Sequence, residues 1–339
     1  MIVDAPLLSV VIPAFNRIGP LRATLSAVQL AATAVPTEIV LVDDGSSPAL
    51  GGLLGTQSGP AAFRSIRQEN SGPIAARLHG LRQARGKYVL FLDSDDLVHP
   101  EKFSAAIDRL ELEQADVIYD DMARARFDGT TWSYEPEEAV RRASDAAEFY
   151  LKVQPAPHCP IFLRSYLLSH IETPVFAHRR AFDPAGDVWL YYNLCLFPAK
   201  VVKLDRALTA IGVHSEARYS QQWENIAVSS LGVMEAFAAH CPKESDTMRA
   251  RTLAGECAFE AWRRLPRGFH AAFRRRALRI WKNAPHGAVE NLGGPFFQLL
   301  AKLFGPVGAG RWLRLRNQNY AQVRTATDAE FAGWMATLP

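Results

Sequence analysis

Apolar and polar positions divide this chain into three regimes. Near the start, short β-branched runs stand apart: residues 8–12 (LSVVI), 38–42 (EIVLV) and 87–92 (KYVLFL). Runs this continuous suit strands buried on both faces of a parallel sheet. Between them apolar positions recur at helical spacing, at Leu21, Leu25, Val28 and Ala32, then at Ala75, Leu78 and Leu81. Strands alternating with helices predict an α/β sheet with right-handed crossovers. From 115 to 215 short strand-like runs mix with polar loops. From about residue 225 the pattern is helical. Residues 257–264 and 270–281 read as a helical hairpin turned at Leu265-Pro266-Arg267-Gly268.

In such sheets ligands sit beyond the carboxyl ends of the strands. The three ends here carry Pro13-Ala14-Phe15-Asn16-Arg17, Asp43-Asp44-Gly45-Ser46-Ser47 and Asp93-Ser94-Asp95-Asp96. Three acids in four residues repel one another, and in a partly dry site they are costly unless a cation neutralises them. Hard divalent cations take carboxylate oxygens and complete their shell with phosphate oxygens. The acid run therefore predicts a metal–diphosphate site. Plainer readings stay open on sequence alone. The acids could form a solvated turn that caps a helix near Pro100, and Phe15 could be core. Residues 43–47 could be an Asx turn with a helix cap, and Arg77 a surface charge.

The segments SVVIPAFNR, EIVLVDDGSS, ENSGPIAARLHGLRQARGKYVLFLDSDD and HPEKF follow in this order over the first 103 residues. Together they resemble the nucleotide-sugar half of the family 2 glycosyltransferases, inverting enzymes of the GT-A fold. Residues 155–220 resemble that family more loosely. The resemblance implies an α/β fold: a GT-A, Rossmann-like, mostly parallel sheet flanked by helices. The expected organisation is a catalytic domain at 1–222, with a nucleotide-sugar half at 1–112 and an acceptor half at 113–222. A helical, basic region follows at 223–339.

The same resemblance implies roles residue by residue. Phe15 would lie against the nucleobase, with Pro13, Ala14 and Asn16 shaping that wall. Asp43 would contact the base, with Asp44 beside it. Arg77 would lie near the nucleotide, although Leu78 follows it where the family often has asparagine. Asp93 and Ser94 would face the ribose side of the donor, and Asp95 would ligate the metal, Mn²⁺ or Mg²⁺, on the diphosphate. Asp187, in Gly186-Asp187-Val188-Trp189-Leu190-Tyr191-Tyr192-Asn193-Leu194, matches the acid that takes the acceptor proton, unless it merely caps its helix. Gly186 replaces the usual glutamate there. His214 matches a position that approaches the metal in some relatives, with Arg218 and Tyr219 in a loop over the diphosphate. His158 and Trp189 are candidates for the acceptor cleft, though core packing is the competing reading for Trp189, Tyr191 and Tyr192.

The implied reaction is metal-dependent, inverting sugar transfer. The donor would be a nucleotide sugar, expected to be UDP-linked. The acceptor would be a hydroxyl of a glycan or lipid-linked glycan in surface polysaccharide or glycoconjugate synthesis. Gly186 leaves a second reading: a catalytically idle relative that binds sugar nucleotide and serves as a partner or membrane-surface protein. A nucleotidyltransferase is disfavoured, because PAFNRIGP is a poor Gly-rich phosphate loop.

Composition adds one asymmetry. The chain has 339 residues, 48% hydrophobic content and net charge +3, ordinary for a globular protein. Yet residues 263–316 carry twelve Lys/Arg and a single acid, Glu290. Such asymmetry suggests an anionic surface or partner. An apolar stripe at Phe296, Phe297, Leu299, Leu300, Leu303 and Phe304 runs through this region, followed by Trp312 and Leu313 among Arg311, Arg314 and Arg316. It predicts either peripheral membrane contact or packing on the catalytic domain or a twin subunit in a homodimer. Nucleic acid is not an expected partner, since no recognised motif accompanies the charge. The four cysteines form no CxxC pair and read as free thiols of a reducing compartment. No apolar run reaches the ~18 residues of a membrane span. A cytoplasmic protein is expected, peripheral to the inner face of the plasma membrane if the basic helices touch lipid.

Overall fold

A computed structural model describes residues 5–55, 58–127, 132–137, 139–212 and 222–338. The chain divides into two compact units. The first takes Met1–Phe149, Val153–Thr173 and Pro198–Glu216; the second takes Tyr150–Lys152, Pro174–Phe197 and Ala217–Pro339.

The first unit is built on one mixed sheet. Its strands are β1 (Leu8–Ala14), β2 (Thr37–Asp43), β3 (Ala62–Arg67), β4 (Tyr88–Phe91), β5 (Leu97–Val98), β6 (Val117–Phe127), β7 (Trp132–Pro136), β8 (Ile161–Leu163) and β9 (Val201–Gly212). The helices are α1 (Gly19–Ala31), α2 (Leu50–Leu54), α3 (Pro73–Gln83), α4 (Lys102–Glu113), α5 (Ala146–Glu148) and α6 (Arg164–Ile171). The order across the sheet is β3-β2-β1-β4-β8-β6-β9-β5, with β7 paired to β6. The first four strands are parallel, as the alternating pattern predicts. Strand β8 then runs against both β4 and β6, and β9 runs parallel to β6. Every residue of β1 and β2 is buried, which is why their sequences read as near-continuous apolar runs, and the Ser9 hydroxyl donates to Glu38 at 2.7 Å where both interrupt them. Helix α1 covers them with Leu21, Leu25 and Val28 at helical spacing.

The second unit is helical. It holds α7 (Gly186–Leu194), α8 (Trp223–His240), α9 (Met248–Arg264), α10 (Ala271–Asn283), α11 (Pro295–Arg314), α12 (Tyr320–Val323) and α13 (Asp328–Ala336). The hairpin read between residues 257 and 281 is α9 and α10, turned where Gly268 has a φ of 77°. Residues 186–194, placed with the acceptor half on sequence grounds, pack within this unit. Trp189, Tyr191 and Tyr192 are all buried, and Tyr192 meets Phe237 of α8 edge-on at 5.2 Å. A helix apolar on every side needs cover on every side, and α8 supplies part of it.

The stripe at 296–304 is split. Phe297, Leu300 and Ala301 are buried in the core with Phe259, Trp262 and Trp281, whereas Phe296, Leu299, Leu303 and Phe304 are exposed. All four cysteines are free, and burial pushes every thiol up, Cys241 and Cys257 to about 11. No helix among the described residues is long and apolar enough to cross a membrane.

Candidate active site at the strand ends of the first unit

Strand β1 has β2 on one side and β4 on the other, and the chain leaves the carboxyl ends of β1 and β4 toward opposite edges of the sheet. Open α/β sheets bind ligands at such switch points. Pro13 and Ala14 close β1 as buried residues, opposite Val42 and Asp43 of β2. Phe15, the next residue, is 49% exposed and therefore is not core. Asn16 takes a left-handed φ of 50°, a conformation asparagine tolerates better than most residues. It also ties the two loops together. Its N–H donates to Ser46 Oγ at 2.9 Å, and its Oδ1 accepts from Ser47 N–H at 2.8 Å.

Asp43 and Asp44 are buried and build the loops around this edge. Asp43 accepts from Ser46 N–H at 2.8 Å and from Leu50 N–H at 3.0 Å, and it pairs with Arg67 at 3.3 Å. These bonds close the 43–47 loop on the Asp43 carboxylate and tie it to the first N–H of α2, whose N-cap is Ala49. Any base contact by Asp43 would come on top of those bonds. Asp44 accepts from Gln68 Nε2, Ser71 N–H and Gly72 N–H at 2.8–2.9 Å. It thereby holds the loop that starts α3 and aims Arg77.

The acid run lies between β4 and β5. Each of its three carboxylates meets a cation from a different element. Arg77 of α3 donates to Asp93 Oδ1. Arg17, after β1, donates to Asp95 Oδ2 at 2.7 Å. His158 Nδ1 lies 2.9 Å from Asp96 Oδ2, with both side chains buried. Three clustered acids are bearable here because three cations converge on them. Burial by itself would raise the Asp93 pKa, but Arg77, His158 and Arg17 outweigh it and hold the carboxyl below its ordinary value. Burial likewise pulls His158 down, but Asp96 and then Asp93 outweigh it and raise the imidazole. Ser94 is buried within the run.

Among the described residues, Asp93, Asp96 and His158 place ligand atoms within 4.8 Å of one another. Two carboxylates and an imidazole suit Mn²⁺ better than Mg²⁺, which prefers all-oxygen shells. Both ring nitrogens of His158 are buried and without a hydrogen bond, and the ring could ligate only as the neutral imidazole, after a metal displaces the proton that Asp96 and Asp93 favour. This grouping differs from the expected pair. Asp95 is engaged by Arg17, and His214 lies outside the described residues, as do Arg218 and Tyr219. His158, expected at an acceptor cleft, instead belongs to the acid cluster.

Two supports of the site carry no local signal in the sequence. The Cβ that Gly212 lacks would lie 2.1 Å from the Asp95 carbonyl oxygen, and Gly212 N–H donates to Asp96 Oδ1 at 3.1 Å. The end of β9 can approach the acid run only as bare backbone. Behind it, Lys102 is 2% exposed. Its Nζ donates to Asp120 Oδ1 at 2.9 Å, to the Cys159 carbonyl at 2.8 Å and to Thr209 Oγ1 at 2.5 Å. All three ammonium protons are used, which is what makes a buried lysine tolerable. The bonds pin α4 to β6 and β9 and fix the residue beside His158.

In the second unit, Asp187 is half-buried in the first turn of α7. The helix is capped at Ala185 without a side-chain bond, so Asp187 is not its cap. Trp189 is 1% exposed, which corrects its placement in an acceptor cleft: its ring is core and presents no face to a sugar.

Residues 9–171 match the model of glycosyl transferase family 2. An uncharacterized glycosyltransferase of Rickettsia felis is 37% identical over 103 residues, which is 30% of this chain and 17% of that protein. The succinoglycan biosynthesis protein ExoO of Rhizobium meliloti is 30% identical over 181 residues, 51% of this chain and 48% of ExoO. The chain thus spans less than half the length of these curated relatives. Among solved structures, S. aureus TarS 1–349 in complex with UDP-GlcNAc aligns with TM-score 0.61 at 17% identity, covering 94% of this chain and 93% of that one. The mannosyltransferase PcManGT from Pyrobaculum calidifontis, in complex with GDP-Man and Mn²⁺, aligns with TM-score 0.53 at 13% identity, covering 98% and 84%. At these identities the structural likeness speaks to fold.

Proposed function

From the match of residues 9–171 to the model of glycosyl transferase family 2, we propose that this chain is a sugar-transferring enzyme that moves a sugar from a nucleotide sugar to an acceptor hydroxyl with inversion. The observation that carries the reading is the acid run at the sheet's switch point, met by Arg17, Arg77 and His158, beside the exposed ring of Phe15. An apolar face next to convergent charge is the arrangement a base joined to a diphosphate requires.

In this reading Phe15 stacks on the nucleobase, with Pro13, Ala14 and Asn16 as its wall. Asp43 and Asp44 keep that wall rigid and leave the base edge within reach. UDP is the proposed nucleotide, which TarS binds as UDP-GlcNAc. Asp93 and Ser94 face the ribose side. Arg77 and Arg17 face the diphosphate and can shift from their carboxylates to phosphate oxygens. A divalent cation would be held by Asp93, Asp96 and His158, with Asp95 at hand once Arg17 turns to phosphate. Bound there, the cation supplies Lewis-acid stabilisation of the leaving diphosphate.

Asp187 is assigned as general base on the resemblance of its segment. The acceptor oxygen attacks the anomeric carbon as the bond to the diphosphate breaks, and Asp187 takes the hydroxyl proton. The acceptor is a glycan or lipid-linked glycan of a surface polysaccharide, as biosynthetic relatives such as ExoO suggest. A cytoplasmic enzyme in peripheral contact with the membrane fits that substrate.

The test is thermal stability against nucleotides and nucleotide sugars, with and without Mn²⁺. Ligands that bind the native state raise Tm by mass action. A metal-dependent rise with uridine nucleotides, lost in both Asp93→Asn and Asp95→Ala, is expected. Asp187→Asn should keep that rise and lose transfer. No rise with any nucleotide sugar would overturn the reading.

A further inference from the structure

The second unit holds a cleft of about 490 Å³ where the end of α9, the turn before α10, α10 itself and the end of α11 come together. Five arginines line it: Arg267, Arg274, Arg275, Arg311 and Arg314. Among the described residues no carboxylate does. Their neighbours Arg264, Arg276 and Arg324 are paired with Glu260, Glu235 and Asp328. Among the described residues, none of the five that line the cleft meets a carboxylate.

Arg314 is the telling member. It is 8% exposed, and its guanidinium carbon lies 5.5 Å over the Trp262 ring. It donates to the Pro266 carbonyl at a long 3.4 Å, and its Nε makes no hydrogen bond. The Nε of Arg274 is buried and unbonded as well. Burial, and then Arg274, lower the Arg314 pKa to about 10, so it stays charged at neutral pH. Gathering like charges and withholding their partners is costly. The cost is recovered when an anion with several oxygens enters, since guanidinium groups grip phosphate bidentately and more strongly where water is excluded.

The rim of the cleft says what carries the phosphate. Leu315 lines the cleft and is 65% exposed. Helix α11 breaks at Gly305, where φ is 69°, and doubles back. Phe296 and Trp312 would be ~24 Å apart along a straight helix, yet their rings meet at 5.7 Å. Arg316 lies over both rings, at 5.3 and 5.0 Å. Phe296, Leu299, Leu303, Phe304 and Trp312 are 41–69% exposed. Exposed aromatics and leucines beside unpaired arginines are the pattern of a helix that lies in a membrane interface.

We propose that the arginine cleft binds the phosphate group of an anionic lipid while the exposed face of α11 enters the bilayer surface. The proposal deepens the peripheral membrane contact offered above by naming its surface, and it is independent of the donor site.

The test is cosedimentation of the full chain with vesicles of phosphatidylcholine, alone or with phosphatidylglycerol, in EDTA. Binding to the anionic vesicles only is expected. Neutralising three of the five arginines, as Arg274→Gln, Arg275→Gln and Arg311→Gln together, should weaken it on the order of 100-fold, about fivefold per arginine. The variant Phe296→Ser, Leu303→Ser, Phe304→Ser should also lose vesicles but keep the share of inorganic pyrophosphate binding in EDTA that the arginine triple removes. Vesicle binding unchanged by the arginine triple would overturn the proposal. So would pyrophosphate binding without vesicle binding in the wild type, which would make the ligand a soluble phosphate. Asp95→Ala should bind vesicles normally, so the two proposals fail separately.

Discussion

Arg17 Nη1 and Asp95 Oδ2 stand 2.7 Å apart, joining residues 78 positions apart in the chain. Asp95, the residue best placed by motif to hold a cation, is therefore screened by a guanidinium. Arg17→Ala would leave the acid run with one cation fewer. Its affinity for Mn²⁺ in the absence of nucleotide should rise roughly tenfold, the ratio that ~1.4 kcal/mol produces. Calorimetric titration of Mn²⁺ measures this. Equal or weaker binding in the variant would remove Arg17 from the electrostatics of the site.

Gly212 is the backbone counterpart of that screening. An added Cβ would lie 2.1 Å from the Asp95 carbonyl oxygen, and backbone must move to admit it. Gly212→Ala should cost about 1–3 kcal/mol, the range for overpacking. It should also blunt the nucleotide-induced rise in Tm, because the displaced segment is the acid run. A variant with normal Tm and a normal nucleotide response would show that the loop is softer than its geometry implies.

Lys102 and Asp120 form a buried ion pair at 2.9 Å, each 2% exposed. Removing one partner strands the other's charge, so Lys102→Met should destabilise by about 3–5 kcal/mol. Lys102→Met with Asp120→Leu should recover a large part of the loss. Urea unfolding of both variants tests the pair. A double variant no more stable than the single would place the cost in packing instead.

Glu224 sets a pH dependence in the second unit. Its Oε1 accepts from Thr325 N–H at 2.7 Å and Ala326 N–H at 3.3 Å, and Thr325 Oγ1 donates to Oε2. Burial raises its pKa, but these bonds outweigh burial and hold it below the ordinary 4.5. A lowered pKa gives stability that is present above 4.5 and lost as pH falls through the folded-state value. Wild type should exceed Glu224→Gln by about 1–3 kcal/mol at pH 7, with the gap shrinking below pH 4.5. A gap that does not change with pH would refute the ionic contribution.

Much of the proposed donor site was legible because its signals are local. Near-continuous apolar runs marked β1, β2 and β4, and acids at the ends of β2 and β4 marked the switch point. The partners of those acids were not legible. Arg17 and His158 reach Asp95 and Asp96 across 78 and 62 positions, and nothing near either residue declares the meeting. Trp189 shows the limit from the other side. Its aromatic neighbours suit a sugar platform and a core equally, and only burial separates the two.

The sequence by itself determined the α/β class, the acids at the strand ends, the match of residues 9–171 to the glycosyl transferase family 2 model and the basic character of residues 263–316, since each depends on the order of residues along a short stretch. Tertiary structure alone decided which charges are paired. It gave each acid of the run its own cation, engaged Lys102 on three sides, and gathered five arginines around one cleft with no carboxylate. The reason is physical: a charge is costly or cheap according to what lies within a few ångströms, and that distance is set by chain segments far apart in sequence.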